Sequence, residues 1–165
     1  MGEASALAIK AARGVGMPWG IAEEAGFALR WLTRSGGPGI AALCRYLSAY
    51  QDASKMSGAK AGVAWICPLR LGSAISDGGI TLPLAQSGVL EPLLLLPFRA
   101  SQATGSPPVL LEIGAIRIIV SADGFSANMV ETALLISEAD CTISFGPSDS
   151  DMIKRIGNRV ESTAS

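Results

Sequence analysis

The polar residues best suited to chemistry lie together near the amino terminus. Residues 11–26 read AARGVGMPWGIAEEAG and include Arg13, Trp19, Glu23 and Glu24. An arginine can hold an anionic group, a glutamate can transfer a proton, and a tryptophan ring can wall a pocket. One hypothesis is therefore a small site in which Arg13 and Trp19 bind a ligand and Glu23 or Glu24 acts as an acid or base.

The two glutamates are sequence neighbours, and this limits their joint use. Adjacent residues on a helix diverge by about 100° around its axis, so Glu23 and Glu24 are poorly placed as a catalytic pair. Their plainest role is to stabilise the start of a helix, or to pair with Arg13 and join two helices. Arg30 lies seven residues after Glu23, on the same side, and is a further candidate for ligand binding.

A second polar pair lies in the later half of the chain. Glu112 and Arg117 fall on the side of a predicted strand that faces away from its apolar residues. Charges that face solvent explain the pair adequately. If a second subunit or the first helices cover that side, both residues become candidates for a ligand site.

The absence of histidine excludes several kinds of chemistry. Ser-His-Asp and Cys-His catalysis both require an imidazole, and histidine is also the commonest metal ligand. Cys44, Cys67 and Cys141 are isolated in apolar surroundings, which predicts buried thiols rather than a zinc site or disulfides.

A glycine turn at residues 14–16 precedes a predicted helix, but it lacks the features of a phosphate-binding loop. No strand precedes the turn, and neither GxGxxG nor GxxxxGK[ST] is present. Trp19 could stack on a ligand, although packing at the core or at a helix end is the commoner role, and Trp31 and Trp65 lie in apolar patterns. The sequence predicts no cofactor and no metal.

The composition favours association between proteins. Apolar residues make up 49% of the 165 residues and charged residues only 16%, so excess apolar surface would favour a homo-oligomer or a protein partner. The net charge is −1 without a basic cluster, which argues against nucleic-acid binding. No apolar run approaches the roughly 18 to 20 residues of a membrane span, and no signal peptide is recognisable, so we expect a soluble, cytoplasmic protein.

The first part of the chain predicts three helices, at residues 3–13, 18–33 and 38–52. Their proposed buried stripes follow helical spacing. The first stripe is Ala4, Leu7, Ala8 and Ala11; the second is Ile21, Ala25, Ala28, Leu29 and Leu32; the third is Ile40, Leu43, Cys44 and Leu47. Ala22 and Gly26 would leave a shallow groove for a neighbouring backbone.

The later part predicts strands. Alternating apolar residues favour one long strand at 109–120, with a bulge at 114–115 that would put all six apolar residues on one face. Loops or turns are expected at 73–79, 123–124 and 138–140. The other expected elements are strands at 63–67, 89–98, 129–137 and 141–145 and a last helix at 152–160.

This order predicts an α+β fold with three N-terminal helices, a mostly antiparallel sheet of about five strands and one C-terminal helix. We expect a single domain over residues 1–161 and a frayed tail at 162–165.

The run AARGxGxxWGxAEEAG at residues 11–26 resembles the opening of a bacterial, proteobacterial family that is catalogued as a domain of unknown function. The resemblance is distinctive over these sixteen residues only. It implies no activity, but it gives weight to the segment.

Two functions remain open. The chain is either an oligomeric module that acts as a binding or accessory protein, or a protein that binds an anionic small molecule. In the second case it could be an enzyme that uses Glu23 or Glu24 beside Arg13 and Trp19, if burial raises a glutamate pKa.

Overall fold

Three helices open the chain, as the sequence predicts, and the later part contains the strands together with further helices. The computed structural model describes residues 2–56, 65–102, 108–121, 124–128 and 138–145. The helices are α1 (Gly2–Gly14), α2 (Trp19–Arg34), α3 (Gly39–Met56), α4 (Pro68–Ser76) and α5 (Leu96–Gln102), and a 3-10 helix (Pro92–Leu95) precedes α5. The strands are β1 (Leu84–Leu90), β2 (Val109–Ile113), β3 (Ile116–Ser121), β4 (Gly124–Ala127) and β5 (Glu138–Phe145).

The strands form one antiparallel sheet in the order β1-β5-β2-β3-β4. One face of this sheet contributes alternating apolar side chains to a core that it shares with all five helices. The predicted α+β class and the antiparallel sheet are confirmed. The expected strand at 129–137 and the expected helix at 152–160 lie outside the described residues.

The predicted buried face of α1 is only partly correct. Ala8 and Ala12 are buried, whereas Ala4, Leu7 and Ala11 are exposed, with Leu7 at 68%. The reason is the side of α1 that packs on α2. Ser5 and Ile9 of α1 lie over Gly26, the glycine of the predicted groove, and the Ser5 hydroxyl donates to the Gly26 carbonyl at 3.0 Å.

The stripe of α2 is confirmed except at Ile21, which is half-buried, but that of α3 needs correction. Ala25, Ala28, Leu29 and Leu32 of α2 are buried. In α3, Ala42 and Tyr46 are buried beside Leu43 and Leu47, while Ile40 is 59% exposed and Cys44 is exposed. The helix is therefore rotated relative to the prediction, and Cys44 is not a buried thiol.

Two helices replace segments for which the sequence predicts other structure. The expected loop at 73–79 lies largely in α4, which begins at Pro68 after the N-terminal cap Cys67 and ends before Asp77. Proline fits the first helical position because its missing N–H would have no partner there. Of the expected strand at 63–67, residues 63 and 64 are not described, and Ile66 makes an isolated parallel bridge to Val89.

The expected strand at 89–98 is correct only as far as Leu90. Glu91 has a left-handed backbone with φ 47°, and the chain then forms the 3-10 helix and α5. This stretch is buried on all sides, so its apolar residues show no helical periodicity from which to predict it. The expected turn at 138–140 is also wrong, because these residues begin β5.

The expected bulged strand at 109–120 is a hairpin. Gly114 has φ 58° at the two-residue turn, and Ile113 pairs with Ile116 in the register. A glycine at the first central position favours such a turn. The hairpin keeps the predicted sides: the six apolar residues are buried, and Glu112 lies opposite Arg117 on the other face. For the expected turn at 123–124, Gly124 lies in β4 opposite Ser121 and residue 123 is not described.

Candidate functional site

The turn between α1 and α2 sets the positions of Arg13 and Trp19. Gly16 takes φ 88°, a left-handed conformation that favours glycine, and lets the chain reverse after α1. Met17 is fully buried and anchors the turn in the core. Pro18 then stands at the N-terminal cap of α2, so Trp19 is the first residue of that helix.

Arg13 and Trp19 come together in this turn. The Arg13 guanidinium lies 6.0 Å from the centroid of the Trp19 ring, the outer range of a cation–π contact. The same guanidinium donates a hydrogen bond to the Met17 carbonyl. Trp19 remains 61% exposed, so it packs at a helix end and not in the core. We call this exposed pair the Arg13–Trp19 platform.

Glu24 lies in an acidic environment. It is half-buried, and burial raises the pKa of its carboxyl, with further contributions from the negative charges of Asp77 and Glu23. Asp77 is the C-terminal cap of α4, so the fold brings α4 beside the early part of α2. A carboxyl with a raised pKa holds its proton to higher pH, as a general acid must.

The expected pairing of Arg13 with a glutamate is absent from the part of the chain that the structure describes. No ion pair there joins Arg13 to Glu23 or Glu24. The helix dipole acts most strongly in the first turn of a helix. Neither glutamate lies in the first turn of α2, so they do not stabilise its start. Glu23 and Arg30 are both exposed, and Arg30 lies about 16 Å along α2 from Trp19.

Glu112 and Arg117 form an ion pair on the sheet, at a distance from α1 and α2. The Arg117 Nε lies 3.1 Å from a Glu112 carboxylate oxygen, and the two side chains are 58% and 33% exposed. Asn128 supports the hairpin, because its carboxamide accepts from the Arg117 N–H and donates to the Ala115 carbonyl. The core that the sheet shares with the helices lies on the other face of the hairpin, and Arg117 is exposed, so the first helices do not cover this pair.

A shallow cleft of about 360 Å³ lies beside this ion pair. Asp140, in this cleft, accepts from the Gly88 N–H at 2.9 Å, which ties β5 to the irregular part of β1. The cleft is separate from the Arg13–Trp19 platform. Its lining residues are Ala85, Gln86, Ser87, Glu112, Gly114, Asp140, Cys141 and Thr142.

The sequence did not reveal a buried ion pair that joins two distant parts of the chain. Arg45 of α3 makes a bidentate pair with Glu91, with nitrogen–oxygen distances of 2.6 and 2.8 Å. Glu91 is fully buried, and its partner is 46 residues away, so no local spacing connects them. The only signal was a single acid within an otherwise apolar stretch.

Cys67 is half-buried, not buried as expected, and lies beside a cluster of three aromatic side chains. The Tyr46 hydroxyl and the Cys67 thiol are 2.8 Å apart, and the Tyr46 ring contacts Tyr50 and Trp65 edge-on or tilted. Burial raises the pKa of Tyr46 far above its usual range, and burial together with Asp140 raises the pKa of the Cys141 thiol to about 12. Both groups remain protonated near neutrality and serve packing.

Within the described ranges, no three histidine, cysteine, aspartate or glutamate side chains cluster in a way that could hold a metal ion. Over the same residues, no helix combines the length and the apolar character that a bilayer crossing requires.

The fold and the exposed groups thus define an α+β protein with an open platform at the junction of its first two helices. Residues 1–67 match the family model described as "Protein of unknown function (DUF3726)". The match covers α1, α2 and α3 and includes the whole platform. No curated protein and no solved structure matches the chain.

Proposed function

We propose that this chain is a binding or accessory module that contacts a protein partner through the Arg13–Trp19 platform. The observation that carries the proposal is the position of Trp19. Trp19 is 61% exposed, so most of a large apolar ring is in contact with water. This exposure adds nothing to the stability of a monomer, whereas burial against a partner would be favourable.

The chemistry of the pair supports a protein partner. Tryptophan and arginine are enriched among the few interface residues that carry most of the binding energy. The contact between Arg13 and Trp19 also restricts both side chains before binding, and this lowers the entropy that binding would cost. The net charge of −1 argues against nucleic acid as the partner.

The position of the platform in the chain gives further support. Gly16 and the buried Met17 fix the turn that presents both side chains, so the platform stands on a rigid base. The segment lies within the residues that match the family model. A surface that is built by a specific turn is better suited to recognition than one on a loose loop.

The test is co-purification from the source cell with three tagged baits. We expect the wild-type chain and Arg34→Ala to retain the same partner in stoichiometric amounts, and Trp19→Ala to lose it. Arg34 is the matched control, because it is an exposed residue at the other end of α2. Retention of that partner by Trp19→Ala would overturn the proposal.

A second candidate function, binding or turnover of a small anionic molecule, is favoured by one observation, the raised pKa of Glu24. In this alternative, Arg13 anchors the anion and Glu24 supplies a proton, with Glu23 beside it. The charges of Glu23, Glu24 and Asp77 oppose an anion nearby, and this weakens the alternative.

A thermal-shift panel of carboxylates, phosphates and sugars separates the two functions. A ligand that raises the melting temperature of the wild-type chain but not that of Arg13→Ala would favour the small-molecule function. If no compound stabilises the wild-type chain, the binding module is favoured. Binding stabilises a folded protein in proportion to the logarithm of ligand concentration, so a real hit must also be dose-dependent.

A further inference from the structure

The outer face of α1 has an apolar surface that nothing within the described chain covers. Leu7 is 68% exposed, and Ala4 and Ala11 lie within about 60° of it around the helix axis and are exposed too. We call these three residues the Leu7 face. The face that packs against α2 is a different one, formed by Ala8 and Ala12.

Two opposite charges border the Leu7 face on one side. Glu3 precedes Leu7 by four residues and Lys10 follows it by three, so both lie about 40 to 60° from Leu7, on the flank opposite Ala4 and Ala11. Both side chains belong to exposed residues. The negative charge is toward the start of the helix and the positive charge toward its end, with Leu7 between them.

We propose that the Leu7 face binds the same face of a second copy of this chain, with the two α1 helices antiparallel. A two-fold axis at Leu7 places residues opposite each other when their numbers sum to about 14. Leu7 then meets its own copy, and Ala4 of one chain lies beside Ala11 of the other. Glu3 of each chain lies beside Lys10 of the other, so the arrangement contains two equivalent ion pairs.

The charges select this arrangement. A parallel pairing would place the flank with Glu3 and Lys10 of each chain beside the flank with Ala4 and Ala11 of the other, so neither charge would meet an opposite charge. A two-fold axis needs a surface that is complementary to itself, and the Glu3–Leu7–Lys10 pattern has that property. The small side chains of Ala4 and Ala11 allow two helix axes to approach to the 8–10 Å that is typical of packed helices.

The size of the face predicts a weak dimer. A helix of 13 residues is about 20 Å long, and one such contact covers less than the 1,200–2,000 Å² or so that stable interfaces bury. The dimer should therefore form and dissociate with concentration. It goes beyond the proposed function, because it uses another face of α1 and does not involve Trp19.

The experiment is sedimentation velocity of the purified full chain from micromolar to millimolar concentration. We expect a concentration-dependent dimer that Leu7→Glu abolishes and Ile40→Glu leaves unchanged. Ile40 is the matched control, since it is an apolar residue of nearly equal exposure, 59%, on another helix. Circular dichroism of each variant checks that it is folded.

Charge reversal tests the antiparallel arrangement. Glu3→Lys and Lys10→Glu should each weaken the dimer by about threefold to tenfold, and the double variant should restore it. A wild-type chain that stays monomeric would overturn the proposal, and so would a dimer that Leu7→Glu leaves intact or a double variant that is weaker than either single one. Trp19→Ala should leave the dimer unchanged. Sedimentation therefore tests the dimer, co-purification tests the proposed function, and either can fail without the other.

Discussion

At the scale of single residues, Trp19 combines an exposed ring with a defined neighbour, Arg13. Neither side chain contributes to the core, so removing either one should change the free energy of unfolding only slightly. We expect Trp19→Ala to lower the free energy of unfolding by less than about 1 kcal/mol, which is the value of an exposed cation–π contact.

The measurement is urea denaturation of Trp19→Ala, with Leu32→Ala as the reference for the loss of a buried side chain. Leu32 is fully buried in α2, and its truncation should cost about 3 kcal/mol. If the two variants lose similar stability, Trp19 is a structural residue and the platform is not a free surface.

Glu24 should make the stability of the protein depend on pH. Its pKa in the folded chain is raised above 4.5 by burial and by the nearby charges of Asp77 and Glu23. The folded state therefore binds the proton more tightly than the unfolded state, and stability decreases as the pH rises through the interval between the two pKa values. Glu24→Gln removes this contribution.

The check is the free energy of unfolding of the wild-type chain and Glu24→Gln between pH 3 and pH 8 or so. The two should be close at the acid end, and the variant should become the more stable one as the pH rises past the native pKa. A variant that loses stability relative to the wild type over this interval would show that the Glu24 carboxylate is stabilised by the fold.

At the scale of the elements, a close contact between α4 and α5 depends on Gly72. A methyl group at this position would lie 2.3 Å from the Phe98 ring, which is itself buried. We expect Gly72→Ala to lower the free energy of unfolding by about 1–3 kcal/mol through overpacking.

Gly20→Ala is the matched control for this substitution. Gly20 lies in α2 with nothing within 4 Å of the added carbon, so alanine should stabilise the chain by roughly 0.5–1 kcal/mol through its helix propensity. Equal effects of the two substitutions, measured by thermal or urea denaturation, would contradict the packing of α4 on α5.

The ion pair between α3 and the segment after β1 should respond unequally to its two deletions. Arg45→Met leaves the Glu91 carboxylate buried without its partner, which should cost about 3–5 kcal/mol. Glu91→Gln should cost less, because the Arg45 side chain is 37% exposed and can turn to water. A double-mutant cycle measures the coupling, and the reverse order of the two losses would contradict the burial of Glu91.

The elements also show what the sequence could and could not predict. The first three helices were predictable to within a few residues because their apolar spacing is local, and Gly26 correctly marked the contact with α1. The rotation of each helix about its axis was not predictable. An alanine-rich α1 offers two candidate faces, and its packing on α2 determines that Ala8 and Ala12 are the buried residues.

The later elements were harder because burial removes periodicity. Residues 89–100 are buried throughout, so α5 and the 3-10 helix resembled an extended segment. A hairpin of β2 and β3 and a bulged strand both place the same six apolar residues on one face, because each shifts the alternation by one residue near Gly114. The sequence pattern could therefore not distinguish them. The Arg45–Glu91 pair joins distant parts of the chain and no sequence spacing could reveal it.

At the scale of the whole molecule, the polar candidates divide into two separate surfaces. The helices cover one face of the sheet, while Glu112, Arg117 and Asp140 lie on or beside the other. Arg13, Trp19, Glu23 and Glu24 lie on α1 and α2, in the part that matches the family model. Our proposed contact surface therefore lies in residues 11–26, the segment in which the sequence concentrates its candidate functional side chains.

The measurement that tests this placement most directly is photo-crosslinking in the source cell, with p-benzoylphenylalanine in place of Trp19. The same crosslinker in place of the exposed Ala41 of α3 is the control. Our account predicts one discrete crosslinked protein from position 19 and none from position 41. Equal crosslinking from both positions, or none from position 19 in a folded chain, would contradict the account.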